Sequence, residues 1–100
     1  MLIVAGEIRM QSGTRDQFLT AVKPLVAATL LEDGCHTYAF SPDPDDDDLI
    51  RLYELWDDEP SLAAHLASAH IAEWRTTSAS LPILSADIVK YTVTEGVPLG

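Results

Sequence analysis

Two histidines lie close together in Ala64-His65-Leu66-Ala67-Ser68-Ala69-His70, just downstream of Leu49-Ile50-Arg51-Leu52-Tyr53-Glu54-Leu55-Trp56. An imidazole titrates near neutral pH and can take a proton with little tuning. Indole and phenol rings offer flat surfaces for a planar guest. The aromatic-rich segment is dense in the residues that favour strands. Asp57, Asp58 and Glu59 then supply a cap and first-turn negative charge for a helix, with Pro60 tolerated in that turn. Where the strand ends and the helix begins, Tyr53, Trp56, His65 and His70 come from adjoining elements. Such a junction can line a pocket with flat walls and one titratable base.

The elements that must position these residues follow from pattern and punctuation. Leu2–Met10 reads as a first strand, apolar on both faces at its start and alternating from Glu7 onward. Ser12-Gly13 is a turn, and Thr14 with Gln17 three residues on fits a capping box. The helix that follows places Phe18, Val22, Leu25, Val26 and Thr29 on one stripe, and Pro24 inside it calls for a kink or a late start. Gly34 is expected to end that helix in a left-handed conformation. Residues 35–40 read as a second strand. Ser41 to Asp48 is a hairpin loop, whose acid run lacks the spaced ligands and glycine of a calcium loop. A third strand over 49–56, helices over about 59–67 and 69–81 with Ser68 capping the second, and a last strand over 83–94 complete residues 1–94. Residues 95–100 form a tail.

The order is βαββ(αα)β, an α+β domain with a four-stranded antiparallel sheet and helices on one face. Both faces of the sheet carry apolar residues, while the helices can cover only one. A second copy of the chain, packed sheet to sheet, is the expected cover for the other.

Composition narrows the function. One hundred residues with 47% hydrophobic content make one domain with an adequate core. The net charge of −10 argues against nucleic acid and anionic membrane surfaces, which require basic patches. No leader-like or membrane-spanning pattern is present, so a cytoplasmic location is expected. Cys35 is the only cysteine, which excludes an intrachain disulfide and a thiolate metal cluster, and it reads as a small buried hydrophobe.

The turn before the first helix, Asp33-Gly34-Cys35, Tyr53-Glu54-Leu55-Trp56 and His65-Leu66-Ala67-Ser68-Ala69-His70 together resemble the antibiotic biosynthesis monooxygenase family over roughly residues 2–93. The resemblance implies ferredoxin-like subunits that pair into a dimeric α/β barrel. It also implies a cofactor-free oxygenase acting on phenols, anthrones or hydroquinols; the family includes an isomerase of a phosphorylated diketone and haem-degrading enzymes as well. The haem-degrading members use an asparagine in strand one and a histidine late in the last helix, where this chain has Gly6 and Arg75. Some oxygenases use a pocket asparagine, and this chain contains none.

With that chemistry in view, His65 is the expected base. Tyr53 is expected to hold the substrate oxygen or donate to a peroxide, and Arg51, of the same strand parity, to stabilise a phenolate. Trp74, Tyr38 and Trp56 are the expected ring surfaces, although Trp56 faces opposite to Tyr53. Trp56 and Trp74 are equally suited to packing, Glu54 to a structural pairing, and His70 to an exposed position. His36 has no assigned role. The alternative isomerase would use Lys23 to bind an anion beside Tyr53 and His65. A facial triad of His70, Glu73 and either His65 or His36 is the metal-binding alternative, but no metal or other cofactor is expected. The expected partners are a second copy, a small aromatic substrate and O2.

Overall fold

The computed structural model describes residues 1–100. Its elements are β1 (Leu2–Met10), α1 (Arg15–Ala21), α2 (Lys23–Thr29), β2 (Cys35–Pro42), β3 (Leu49–Trp56), α3 (Glu59–Leu66), α4 (Ala69–Ser78) and β4 (Ile83–Thr92). The strands form one antiparallel sheet in the order β2-β3-β1-β4. This is the expected ferredoxin-like α+β arrangement, with the first helix in two pieces.

Alternation along the strands decides what each face does. Leu2, Val4, Ile8 and Met10 of β1 and Ile50, Leu52 and Trp56 of β3 point to the helices. There they form a core with Phe18, Val22, Leu25, Tyr38, Leu62 and Ile71. Trp56 is wholly buried, and truncating such a residue typically costs about 3–5 kcal/mol. On the opposite face, Ala5 stands between Tyr53 and Val89, and Ile3 between Leu55 and Tyr91. These six residues make a continuous apolar patch with no helix over it.

Local chemistry sets the boundaries. Pro24 lies in the first turn of α2, where its missing N–H is harmless, so the chain restarts a helix rather than bending one. The capping box is not made. Thr14 is the N-cap of α1, yet its hydroxyl turns back and donates to the Gln11 carbonyl at 2.6 Å. Gly34 is left-handed as expected (φ +82°), but α2 has ended at Thr29, so Gly34 shapes the turn into β2 instead. A Cβ there would also lie 2.2 Å from the Ser61 hydroxyl. In the acidic loop, Asp43 accepts from the N–H groups of Asp45 and Asp46, and Arg15 donates to the carbonyls of Asp43, Asp46 and Leu49. The run is thus tied down by hydrogen bonds and arginine charge.

Gly6 occupies the middle of the sheet between Leu52 and Ile88. A Cβ at Gly6 would meet the Asp87 carbonyl oxygen at 2.1 Å, so β1 and β4 approach each other here more closely than any side chain permits. No helix is long and apolar enough to cross a membrane.

Candidate functional site

The helical face of the sheet and the pair α3–α4 enclose a cavity of about 550 Å³ with mostly apolar walls. Val4, Ile8, Leu52 and Ile88 form its floor, and Leu62, Ile71 and Trp74 its roof. β4 carries no helix, and Ile88 is 46% exposed, so the cavity opens along that strand. Lys90 of β4 reaches Glu59 of α3 at 2.8 Å across this open side.

His65 lines the cavity from the last turn of α3 and is only 2% exposed. Its ring packs on Trp56, with centroids 4.7 Å apart, and against the edge of Tyr38 at 5.2 Å. Its Nδ1 lies 2.6 Å from Glu32 Oε2. Burial holds the imidazole below its ordinary pKa, outweighing the opposing pull of Glu32. A neutral imidazole beside an acceptor-only carboxylate must carry its proton on Nδ1, which leaves Nε2 as the basic lone pair. No protein group bonds to that Nε2.

Two capped helix ends fix this placement. Asp58 accepts from Ser61 N–H at 2.9 Å to start α3. Ser68 Oγ accepts from Ile71 N–H at 3.2 Å to start α4 and donates to the His65 carbonyl at 2.6 Å. The same turn brings His70 Nε2 to 3.0 Å from Glu32 Oε2, so one carboxylate oxygen serves two imidazoles.

Glu54 is the second ionisable group inside the cavity, 6% exposed. Trp56 Nε1–H donates to its Oε1 at 2.9 Å. Burial nonetheless pushes its pKa up to about 7, with the negative Glu32 adding to the rise. A carboxyl that is substantially protonated at neutral pH can donate a proton.

The structure brings together His65, Tyr38 and Trp74, with Trp56 behind His65 rather than on the cavity wall. Trp74 meets Phe18 edge-on at 5.2 Å. Burial and the charges of Glu54 and Glu32 raise the Tyr38 phenol, which keeps it neutral. Tyr53 and Arg51 are not in this group. Tyr53, 42% exposed, faces away from the helices, and on the same face Arg51 pairs with Glu7 at 2.9 Å and Asp43 at 2.8 Å. Lys23 lines a separate hollow beside β2, so the trio of Lys23, Tyr53 and His65 is not assembled. His36 pairs with Asp57 at the surface. Cys35 is half-buried against the core, and its thiol is pushed up by burial. Arg75 is exposed, its guanidinium 3.4 Å from the Leu66 carbonyl.

Glu32 is absent from the sequence reading, and Glu54 enters it only as a structural pairing rather than as a buried acid of the cavity. Glu54 shares the parity of Leu52 and Trp56, and that alternation marks it as facing the core. Glu32 carries no such signal, because its partners lie 33 and 38 residues away.

Comparison with known proteins agrees with this architecture. The family model for antibiotic biosynthesis monooxygenase matches residues 1–77. A Deinococcus radiodurans protein, named provisionally as an antibiotic biosynthesis monooxygenase, superposes with a TM-score of 0.90 at 22% identity. That alignment covers 100% of this chain and 99% of the other. A Nitrosomonas europaea protein of the same provisional description gives 0.85 at 22% identity, covering 95% of this chain and 100% of its own. A conserved protein of unknown function from Bacteroides thetaiotaomicron, described as a possible oxidoreductase, gives 0.80 at 26%, covering 90% and 94%. No curated protein sequence matches the chain. With more than three quarters of its length matched by the family model and the same subunit fold throughout, the chain belongs to the antibiotic biosynthesis monooxygenase family.

Proposed function

We propose that the protein is a cofactor-independent monooxygenase that oxidises a small electron-rich aromatic, a hydroquinol, phenol or anthrone, to a quinone with O2. The observation that carries this reading is a neutral, buried His65 anchored on Glu32, with its free Nε2 in an apolar cavity walled by Tyr38, Phe40 and Trp74. Triplet oxygen reacts slowly with closed-shell molecules, but a substrate carbanion or phenolate can supply the first electron itself.

For an anthrone the step balances without a further reductant. His65 Nε2 takes one proton from the ring methylene. The anion gives one electron to O2, and the radical and superoxide join as a carbon–oxygen bond. Protonation yields a hydroperoxide. Loss of the second methylene proton then breaks the O–O bond, forming the carbonyl and expelling hydroxide, which Glu54 protonates to water. One oxygen atom enters the product and the other leaves as water. Apolar walls favour the radical pair by excluding solvent.

Proton transfer from a positioned base is worth about 10²–10⁴-fold in rate. Oxygen consumption by metal-stripped protein on a panel of anthrones and naphthohydroquinols should therefore exceed autoxidation, and His65→Ala should lose at least about 10²-fold with its circular dichroism unchanged. Uptake equal to the protein-free control across the panel removes the oxygenase reading. Turnover of a diketone without oxygen would point instead to proton-shuttling isomerisation in the same cavity.

The second part of the proposal is the assembly. The patch of Ile3, Ala5, Tyr53, Leu55, Val89 and Tyr91 is proposed to pack against its copy in a second chain, giving a homodimer in which the two sheets face each other. What supports this is the apolar character of a face that no helix of the same chain reaches.

A further inference from the structure

We propose that Glu32, His65 and His70 form a binding site for a divalent transition-metal ion of the Zn²⁺ type, coordinated by Glu32 Oε2, His65 Nδ1 and His70 Nε2. These three atoms lie within 4.8 Å of one another. Tetrahedral zinc, with bonds of about 2.1 Å, separates its ligand atoms by about 3.4 Å. The present oxygen–nitrogen distances of 2.6 and 3.0 Å need open by less than about 1 Å to admit the ion.

The donor set selects the metal class. Two imidazoles and one carboxylate suit Zn²⁺ or Fe²⁺, whereas Ca²⁺ and Mg²⁺ favour all-oxygen shells. Each ligand is held by a different piece of the fold: the turn after α2, the last turn of α3 and the first turn of α4. Ser68, bonded to both helices, sets the angle between the two imidazoles. Glu73, the carboxylate nearest to His70 in sequence, is not part of the group. His70 is a quarter exposed and lines a groove with Pro24, Leu25 and Ala28 of α2, which provides a route in for the ion. Three protein ligands leave a coordination position open, as in exchangeable rather than structural sites.

A chemical consequence attaches to occupancy. The ion replaces the proton on His65 Nδ1, and the neutral ring then keeps its proton on Nε2. The cavity-facing nitrogen changes from acceptor to donor. This consequence rests on the oxygenase reading, in which loading with metal silences turnover; the binding itself does not.

The test is equilibrium dialysis of chelator-stripped full-length protein against Zn²⁺, with the visible spectrum of the Co²⁺ form as a coordination signature. One ion per chain is expected, with at least about tenfold weaker binding in His70→Ala and Glu32→Gln and unchanged binding in His36→Ala. His70→Ala keeps the proposal falsifiable, because a partly exposed histidine is removed without emptying the core. Equal affinity in folded His70→Ala, loss of binding in His36→Ala, or no uptake at all would each overturn the site. Oxygen uptake is measured separately on stripped protein, so its failure leaves the dialysis result standing, and the reverse also holds.

Discussion

Burial decides what Glu54 is at neutral pH. The unfolded chain releases this proton near pH 4.5, whereas the folded protein holds it to about 7. The folded state binds the extra proton between those values, so stability falls as pH rises from 4.5 to 7 and levels off above. The rise is worth roughly 3 kcal/mol at pH 8. Glu54→Gln keeps the shape and the contact with Trp56 while removing the charge. Urea midpoints measured from pH 5 to pH 8 should fall steadily in the wild type but not in the variant, which should be the more stable at pH 8. Equal slopes in the two proteins would mean that Glu54 ionises normally. The same residue shows what could be read in advance: alternation with Leu52 and Trp56 placed it on the core side, but glutamate chemistry suggested a structural pair. Glu32 was not legible at all. Its role depends on a turn folding back onto the α3–α4 junction, a relation with no periodic trace in the chain.

Ser68 works on two helices at once. It caps α4, and its hydroxyl also closes on the His65 carbonyl at the end of α3. Losing an N-cap costs about 1 kcal/mol. Ser68→Ala should therefore lower the urea unfolding free energy by about 1 kcal/mol and loosen the histidine pair, broadening the His65 and His70 ring resonances in NMR spectra. An unchanged unfolding free energy would show that the cap contributes nothing. This break was visible in the sequence as a serine between two short helical runs, and so were all four strands; Pro24 signalled a kink or a late start, whereas the chain ends α1 and begins α2 there. The end of α2 was less legible. Gly34 signals a left-handed residue correctly, but the glycine alone does not say how many residues separate it from the helix. Thr14 and Gln17 matched a capping pattern whose hydroxyl found a better acceptor in Gln11.

At the scale of the whole molecule, the helices shield one face of the sheet and leave the other bare, the face proposed above to meet a second copy. Placing a charge in that patch is the direct check. Val89→Glu should turn a sedimenting dimer into a monomer while leaving far-ultraviolet circular dichroism unchanged; a persistent dimer would move the interface elsewhere. Alternation in the sequence reveals both apolar faces, yet it does not show that the cavity opens along β4, because that depends on how far two short helices reach across the sheet. The cavity itself has two unlike halves. Its floor is carried on strands, where Leu52 and Ile88 flank Gly6 in register and the backbones of β1 and β4 leave no space even for a methyl group. Its roof is Leu62, Ile71 and Trp74, side chains on helices that can be exchanged without disturbing strand pairing. Adaptation to a larger or smaller guest is thus confined to the roof: variation selected for a new ligand should accumulate on α3 and α4, while position 6 stays glycine whatever the protein comes to bind.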